Sequence, residues 1–156
     1  MELDMKQQDW TRVAEIQLVY KTKIKASERP KINHSADSYQ FLLQSWDPNK
    51  LEFVEQFKVL LLNQAMKVLG VYEVSTGSVT GCIADPKLVF CAALKANASN
   101  IILAHNHPSG NFDPSTADKN LTAKMVTGAK YLDLAIRDHI IVTKESYFSF
   151  ADHGLL

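Results

Sequence analysis

The stretch NIILAHNHPSGNFDPSTAD, Asn100 to Asp118, decides how this chain folds. Asn100–Ala104 is a short apolar run suited to a buried strand. Pro108, Ser109 and Gly110 then force a tight turn, because proline fixes φ and glycine supplies a conformation that other residues resist. Ser115 to Asp118 opens a helix. A strand that turns sharply into a helix is the unit from which α/β domains are built.

Reading outward, DPKLVFCAALKANA (Asp85–Ala98) predicts a helix with Asp85 as N-cap and Pro86 at its first position. Within it, Cys91 reads as a small core residue. EQFKVLLLNQ (Glu55–Gln64) holds a nearly continuous apolar run and predicts a strand covered on both faces. Asn63 to Lys67 makes the turn into a second strand, VLGVYEVS. LAIRDHIIVTKESYFSF predicts two closing strands around Lys144 and Glu145. SADSYQFLLQSW predicts a helix with Ser35 as N-cap and Tyr39, Leu42, Leu43 and Trp46 near helical spacing. VAEIQLVYKTKIK (Val13–Lys25) ends in alternation and predicts an edge strand. The expected architecture is therefore α/β, a mixed sheet flanked by helices. Residues 1–34 form an N-terminal arm bearing the edge strand, and residues 35–156 form the domain.

A chain of 156 residues fits one domain. Such a domain buries roughly 70% of its unfolded surface and needs no staples. Two cysteines, Cys82 and Cys91, are too few for a disulfide framework, so a reduced, cytoplasmic protein is expected. The polar N-terminus is not a signal peptide. No apolar run approaches the ~18 residues that would span a bilayer, so no membrane partner is expected. Formal net charge is zero, which removes any whole-chain attraction to nucleic acid or anionic lipid.

His105 and His107 lie two residues apart at a strand end. In extended chain such side chains share a face, so two imidazoles can point at one ion. Asp118, in the first turn of the next helix, can face back toward them. Two nitrogens and a carboxylate suit zinc with an open coordination position. A plainer reading stands beside it. Ser115 and Asp118 resemble a capping box, and an acidic residue there complements the helix dipole. A carboxylate committed to a metal has less freedom to cap, so the two roles are expected to compete.

His105, His107, Ser115 and Asp118 together resemble the JAMM motif of MPN-domain metalloproteases: His-x-His, seven residues, Ser, two residues, Asp. HNHPSG with a following PS, ILAHNHPSG upstream and DHIIV downstream resemble the bacterial RadC-like branch. The likeness runs from about Ser35 to the C-terminus. It implies a three-layer α/β/α fold similar to cytidine deaminase and one Zn2+ per chain, held by His105, His107 and Asp118. It also implies a glutamate just before an earlier strand, which EQFKVLLLN meets at Glu55. Glu52 competes, but its odd separation puts it on the opposite strand face. The implied activity is zinc-dependent hydrolysis of a peptide or isopeptide bond in a protein or peptide substrate. In it, Glu55 takes a proton from the attacking water and returns it to the leaving amine, while Ser115 donates to the oxyanion. Full-length RadC proteins usually carry a helix-hairpin-helix region, and the first thirty or so residues here show no such pattern.

A rival expectation is a non-catalytic zinc-bearing module that binds DNA or a protein partner in a repair-related role. Lys21, Lys23, Lys25, Arg29 and Lys31 form a basic stripe that phosphates would meet. Edge-strand lysines also serve simply to block aggregation. A general base at Glu55 favours the enzyme. Base deamination wants Cys-x-x-Cys ligands, which the chain lacks. An exposed edge strand would permit a homodimer. Asn106 points away from its histidine neighbours in extended chain and is expected to support the site or fix backbone; Asp138 and His139 are expected to be structural rather than partners of the site; His34 and His153 have no assigned partners.

Overall fold

The computed structural model describes residues 21–78 and 83–156. Five strands form one mixed sheet: β1 (Gln56–Leu62), β2 (Val68–Thr76), β3 (Asn100–Asn106), β4 (Ala135–Val142) and β5 (Tyr147–Ser149). Their order is β2-β1-β3-β4-β5. β3 and β4 are parallel, and every other neighbouring pair is antiparallel. The helices are α1 (Ser35–Ser45), α2 (Pro48–Leu51), α3 (Pro86–Lys95) and α4 (Thr116–Lys130).

The apolar runs explain the layers. β1 and β3 are buried at all seven positions each, so both faces of the sheet centre are covered. Alternate residues serve different cores. Phe57, Val59, Leu61, Ile101 and Leu103 pack with Val89 and Ala93 of α3 and Met125 and Ala129 of α4. Leu60, Leu62, Ile102 and Ala104 pack with Tyr39, Leu42 and Trp46 on the α1 side. The result is the expected α/β architecture, a mixed sheet between helical layers. Each fully buried aliphatic side chain contributes roughly 1.5–3 kcal/mol.

Local expectations were met with instructive exceptions. α3 starts as its sequence predicts, with Pro86 first and the Asp85 side chain accepting from Lys87 N at 2.9 Å. Cys91, however, is exposed rather than in the core. Val89 and Ala93 form the buried stripe, and a residue two positions from either falls on the opposite face of a helix. Ser35 is the first residue of α1, not its cap. His34 caps, the Asp37 carboxylate accepts from His34 N and Asn33 N, and the Ser35 hydroxyl bonds to Asp152 instead. Of the expected edge strand, Val13–Tyr20 lies outside the described residues, and Lys21–Lys25 is not strand. Lys31 makes an isolated antiparallel bridge to Lys67. No described helix is long and apolar enough to cross a membrane.

Candidate metal centre

The centre lies where β3 ends and α4 begins, outside the carboxyl end of a strand whose two neighbours run in different directions. β3 continues two residues past the expected NIILA segment, because His105 and Asn106 still pair with β4. His105 therefore sits inside the sheet, buried, while His107 follows just beyond it, half-buried.

His105, His107 and Asp118 each bring one donor atom into a cluster whose members all lie within 4.8 Å of one another. His105 Nε2 is 2.9 Å from His107 Nε2 and 3.3 Å from Asp118 Oδ1, and His107 Nε2 is 3.9 Å from Asp118 Oδ2. Donors bonded to one tetrahedral cation stand about 3.4 Å apart for usual zinc bond lengths. The observed separations bracket that value. His107 Nδ1 is 2.6 Å from the carbonyl oxygen of Asn111, which can only accept. Nδ1 therefore carries a proton, and Nε2 is the ring nitrogen turned toward the cluster. Two imidazoles and a carboxylate gathered this closely fit a divalent cation.

Asp118 closes the helix cap and also faces the histidine pair. Its Oδ2 accepts from Ser115 N at 2.8 Å and from the Ser115 hydroxyl at 2.7 Å, closing the capping box of α4, while Oδ1 faces His105. Oδ2 caps and also stands 3.9 Å from His107 Nε2, while Oδ1 is turned to His105. Burial pushes the Asp118 pKa up, but hydrogen bonding to His105, its charge and the Ser115 bonds outweigh that. The carboxyl is held well below the usual range and stays ionised. Ser115 is the N-cap, its one hydroxyl proton directed at Asp118.

Glu55 immediately precedes β1 and is half-buried. Its backbone bonds with Ser78 and Gly77 carry the β1–β2 pairing one step further. Phe57 stands opposite His105, so Glu55, two residues before Phe57, lies at the same end of the sheet as His105 and His107. Glu52 sits instead at the end of α2, where it pairs with Lys144 at 3.6 Å. Both Glu52 and His107 line a groove of about 250 Å³ with Phe112 and the β4–β5 turn.

Asn106 fixes backbone, as its outward position suggested. Its amide nitrogen donates to Leu51 O at 2.7 Å and Val54 O at 2.9 Å, and its Oδ1 accepts from Gln56 N at 2.7 Å. It thus clamps both sides of Glu55. His139, expected to be structural, instead lies against the cluster. Its Nε2 is 2.8 Å from His105 Nδ1, and its Nδ1 is 2.6 Å from the Thr122 hydroxyl. Burial drives its pKa well below the ordinary imidazole value, so the ring is neutral. DHIIV already singled it out, but nothing in the sequence shows which face of β4 it occupies. His153 bonds to the Ser149 carbonyl and stacks on Phe148, away from the centre.

A mixed sheet between helices, with His-x-His at a strand end and an aspartate on the following helix, defines an α/β domain with a candidate metal centre. The chain belongs to the RadC-like JAB domain family, whose pattern matches residues 32–155. It is 46% identical over 101 residues to a UPF0758 protein of Flavobacterium johnsoniae, a match covering 65% of this chain and 44% of that one. A UPF0758 protein of Chlorobaculum parvum is 38% identical over 126 residues, covering 81% of this chain and 55% of the relative. UPF0758 protein YfjY of Escherichia coli is 41% identical over 102 residues, covering 65% of this chain and 64% of the relative. The chain thus matches about half the length of these curated relatives, and their names state no activity.

Proposed function

We propose that this domain is a zinc-dependent hydrolase that cleaves a peptide or isopeptide bond. The observation that carries the reading is the convergence of His105 Nε2, His107 Nε2 and the Asp118 carboxylate, with Glu55 at the same end of the sheet. Bound there, zinc would polarise the scissile carbonyl and acidify water, which is the chemistry an amide needs. The three side chains would leave a fourth tetrahedral position free.

The chain's own residues supply the rest. Glu55 accepts a proton from the attacking water and delivers it to the leaving nitrogen, so the proton count balances over one turnover. Asn106 holds the backbone on both sides of Glu55 and keeps that carboxylate in place. Ser115 donates to the substrate oxyanion by rotating its hydroxyl away from Asp118 Oδ2. The groove beside His107 offers an approach for an extended peptide.

Elemental analysis together with cleavage of a mixed peptide library, read by mass spectrometry, tests this. The wild-type chain should hold about one zinc ion and cleave. His107→Ala should fall to substoichiometric zinc. Glu55→Gln should keep its zinc and lose cleavage. A His107→Ala protein that retains a full complement of zinc refutes the ligand assignment.

A further inference from the structure

We infer that His139 is a positioning residue: with Thr122 it locks His105 into the one tautomer whose Nε2 can ligate a cation. The inference rests on the metal-site reading above and extends it to residues outside the ligand set.

Proton counting along the hydrogen bonds leads there. The Thr122 hydroxyl contacts two atoms, the Asp118 carbonyl oxygen at 2.7 Å and His139 Nδ1 at 2.6 Å. The carbonyl can only accept, so the single hydroxyl proton goes to it. Thr122 must then accept from His139, which places a proton on His139 Nδ1. His139 is fully buried between the Phe57 and Phe150 rings, and with its proton on Nδ1 its Nε2 is left to accept. His105 Nδ1, 2.8 Å away, must donate to it. His105 Nε2 is then the ring atom turned toward His107 and Asp118, where a cation would take its lone pair. Asp118 sits at both ends of the chain, its backbone anchoring Thr122 and its carboxylate meeting His105. The reverse set of tautomers would strand a proton on His105 Nε2 and close the site to metal.

Sheet register brings His139 to this position. Pairing slips by one residue between Ile101 and Ile102, which oppose Ile136 and Asp138 and leave Arg137 as the extra residue on β4. In unbroken register Asp138 would oppose Leu103 and His139 would point to the α1 face. The bulge reverses this, setting His139 opposite Leu103 on the α4 side. Asp138, on the other face, is held by Ser149 and Ala151. The bulge thus re-aims one imidazole at a ligand.

The test uses protein with isotope-labelled histidines and zinc alone as probe. Long-range proton–nitrogen correlation spectra report which ring nitrogen carries hydrogen, a signature that a merely space-filling ring would not fix. His139 should be protonated on Nδ1 in metal-free and zinc-loaded protein alike, and zinc-loaded His105 should be protonated on Nδ1. In chelator competition His139→Phe should weaken zinc binding about 10- to 100-fold. Thr122→Val, a smaller change that serves if His139→Phe does not fold, should leave His139 in mixed tautomers and also weaken zinc. A wild-type His139 protonated on Nε2, or wild-type zinc affinity in either folded variant, overturns the inference. A wild-type protein that binds no zinc would overturn the proposed hydrolase instead, while the His139 tautomer would still be read in the metal-free protein.

Discussion

Asn106 shows how one amide can serve a reaction it never touches. It is fully buried and uses both amide protons and its oxygen on backbone atoms of Leu51, Val54 and Gln56. Removing it strips the buried Leu51 carbonyl and Gln56 N–H, and the part-buried Val54 carbonyl, of this partner, and a buried group left unpaired costs roughly 1–3 kcal/mol. Asn106→Ala should therefore destabilise the domain by several kcal/mol in urea unfolding, on the order of the sum of those terms. Because the segment released carries Glu55 and not the ligands, the folded fraction should keep its zinc while kcat falls. Equal losses of zinc and turnover would mean that Asn106 supports the ligands instead. Sequence spacing pointed to His105, His107 and Asp118 because all three are local to one strand-turn-helix. It could not place His139, which is 34 residues from His105 and whose face depends on a bulge.

At the scale of elements, the N-terminus of α4 carries two jobs on one pair of side chains. The Ser115 hydroxyl accepts from Asp118 N at 3.1 Å and donates to Asp118 Oδ2, so the cap of the helix also orients the carboxylate of the cluster. Two substitutions separate the jobs. Ser115→Ala should cost about 1 kcal/mol of stability. That is a fall of roughly 2–4 °C in Tm for a domain this size. Ser115→Asn keeps a good N-cap and should keep the stability. Both should lose most cleavage if the hydroxyl serves the oxyanion, a loss of order 100-fold in kcat or more. Full activity in Ser115→Asn would reduce Ser115 to a cap. The start of that helix was legible from Ser115 and Asp118, as α3 was from Asp85 and Pro86. Cys91 was misread because an apolar run of helix length reveals which residues are hydrophobic, not which of them face the sheet.

In the whole molecule the centre fastens β3 to α4, and through His139 it reaches β4. The α/β class was readable because strands and helices alternate with distinct periodicities. Strand order was not, since β1 lies between β2 and β3 through contacts that no local pattern encodes. That topology makes a thermal prediction specific. A cation bound only to the folded chain stabilises it by RT ln(1 + [L]/Kd), about 4 kcal/mol at a thousandfold excess over Kd. For a domain of this size that raises Tm by on the order of 10 °C. Zinc addition to chelator-stripped protein should give such a rise, and His107→Ala should abolish it. Hydrogen exchange should localise the gain to the end of β3, the His107–Ser115 turn and the first turns of α4. The β1–β2 hairpin, which carries no ligand, should change only through the global term. A rise spread evenly over all five strands, or one that survives His107→Ala, would place the bound ion somewhere other than this junction.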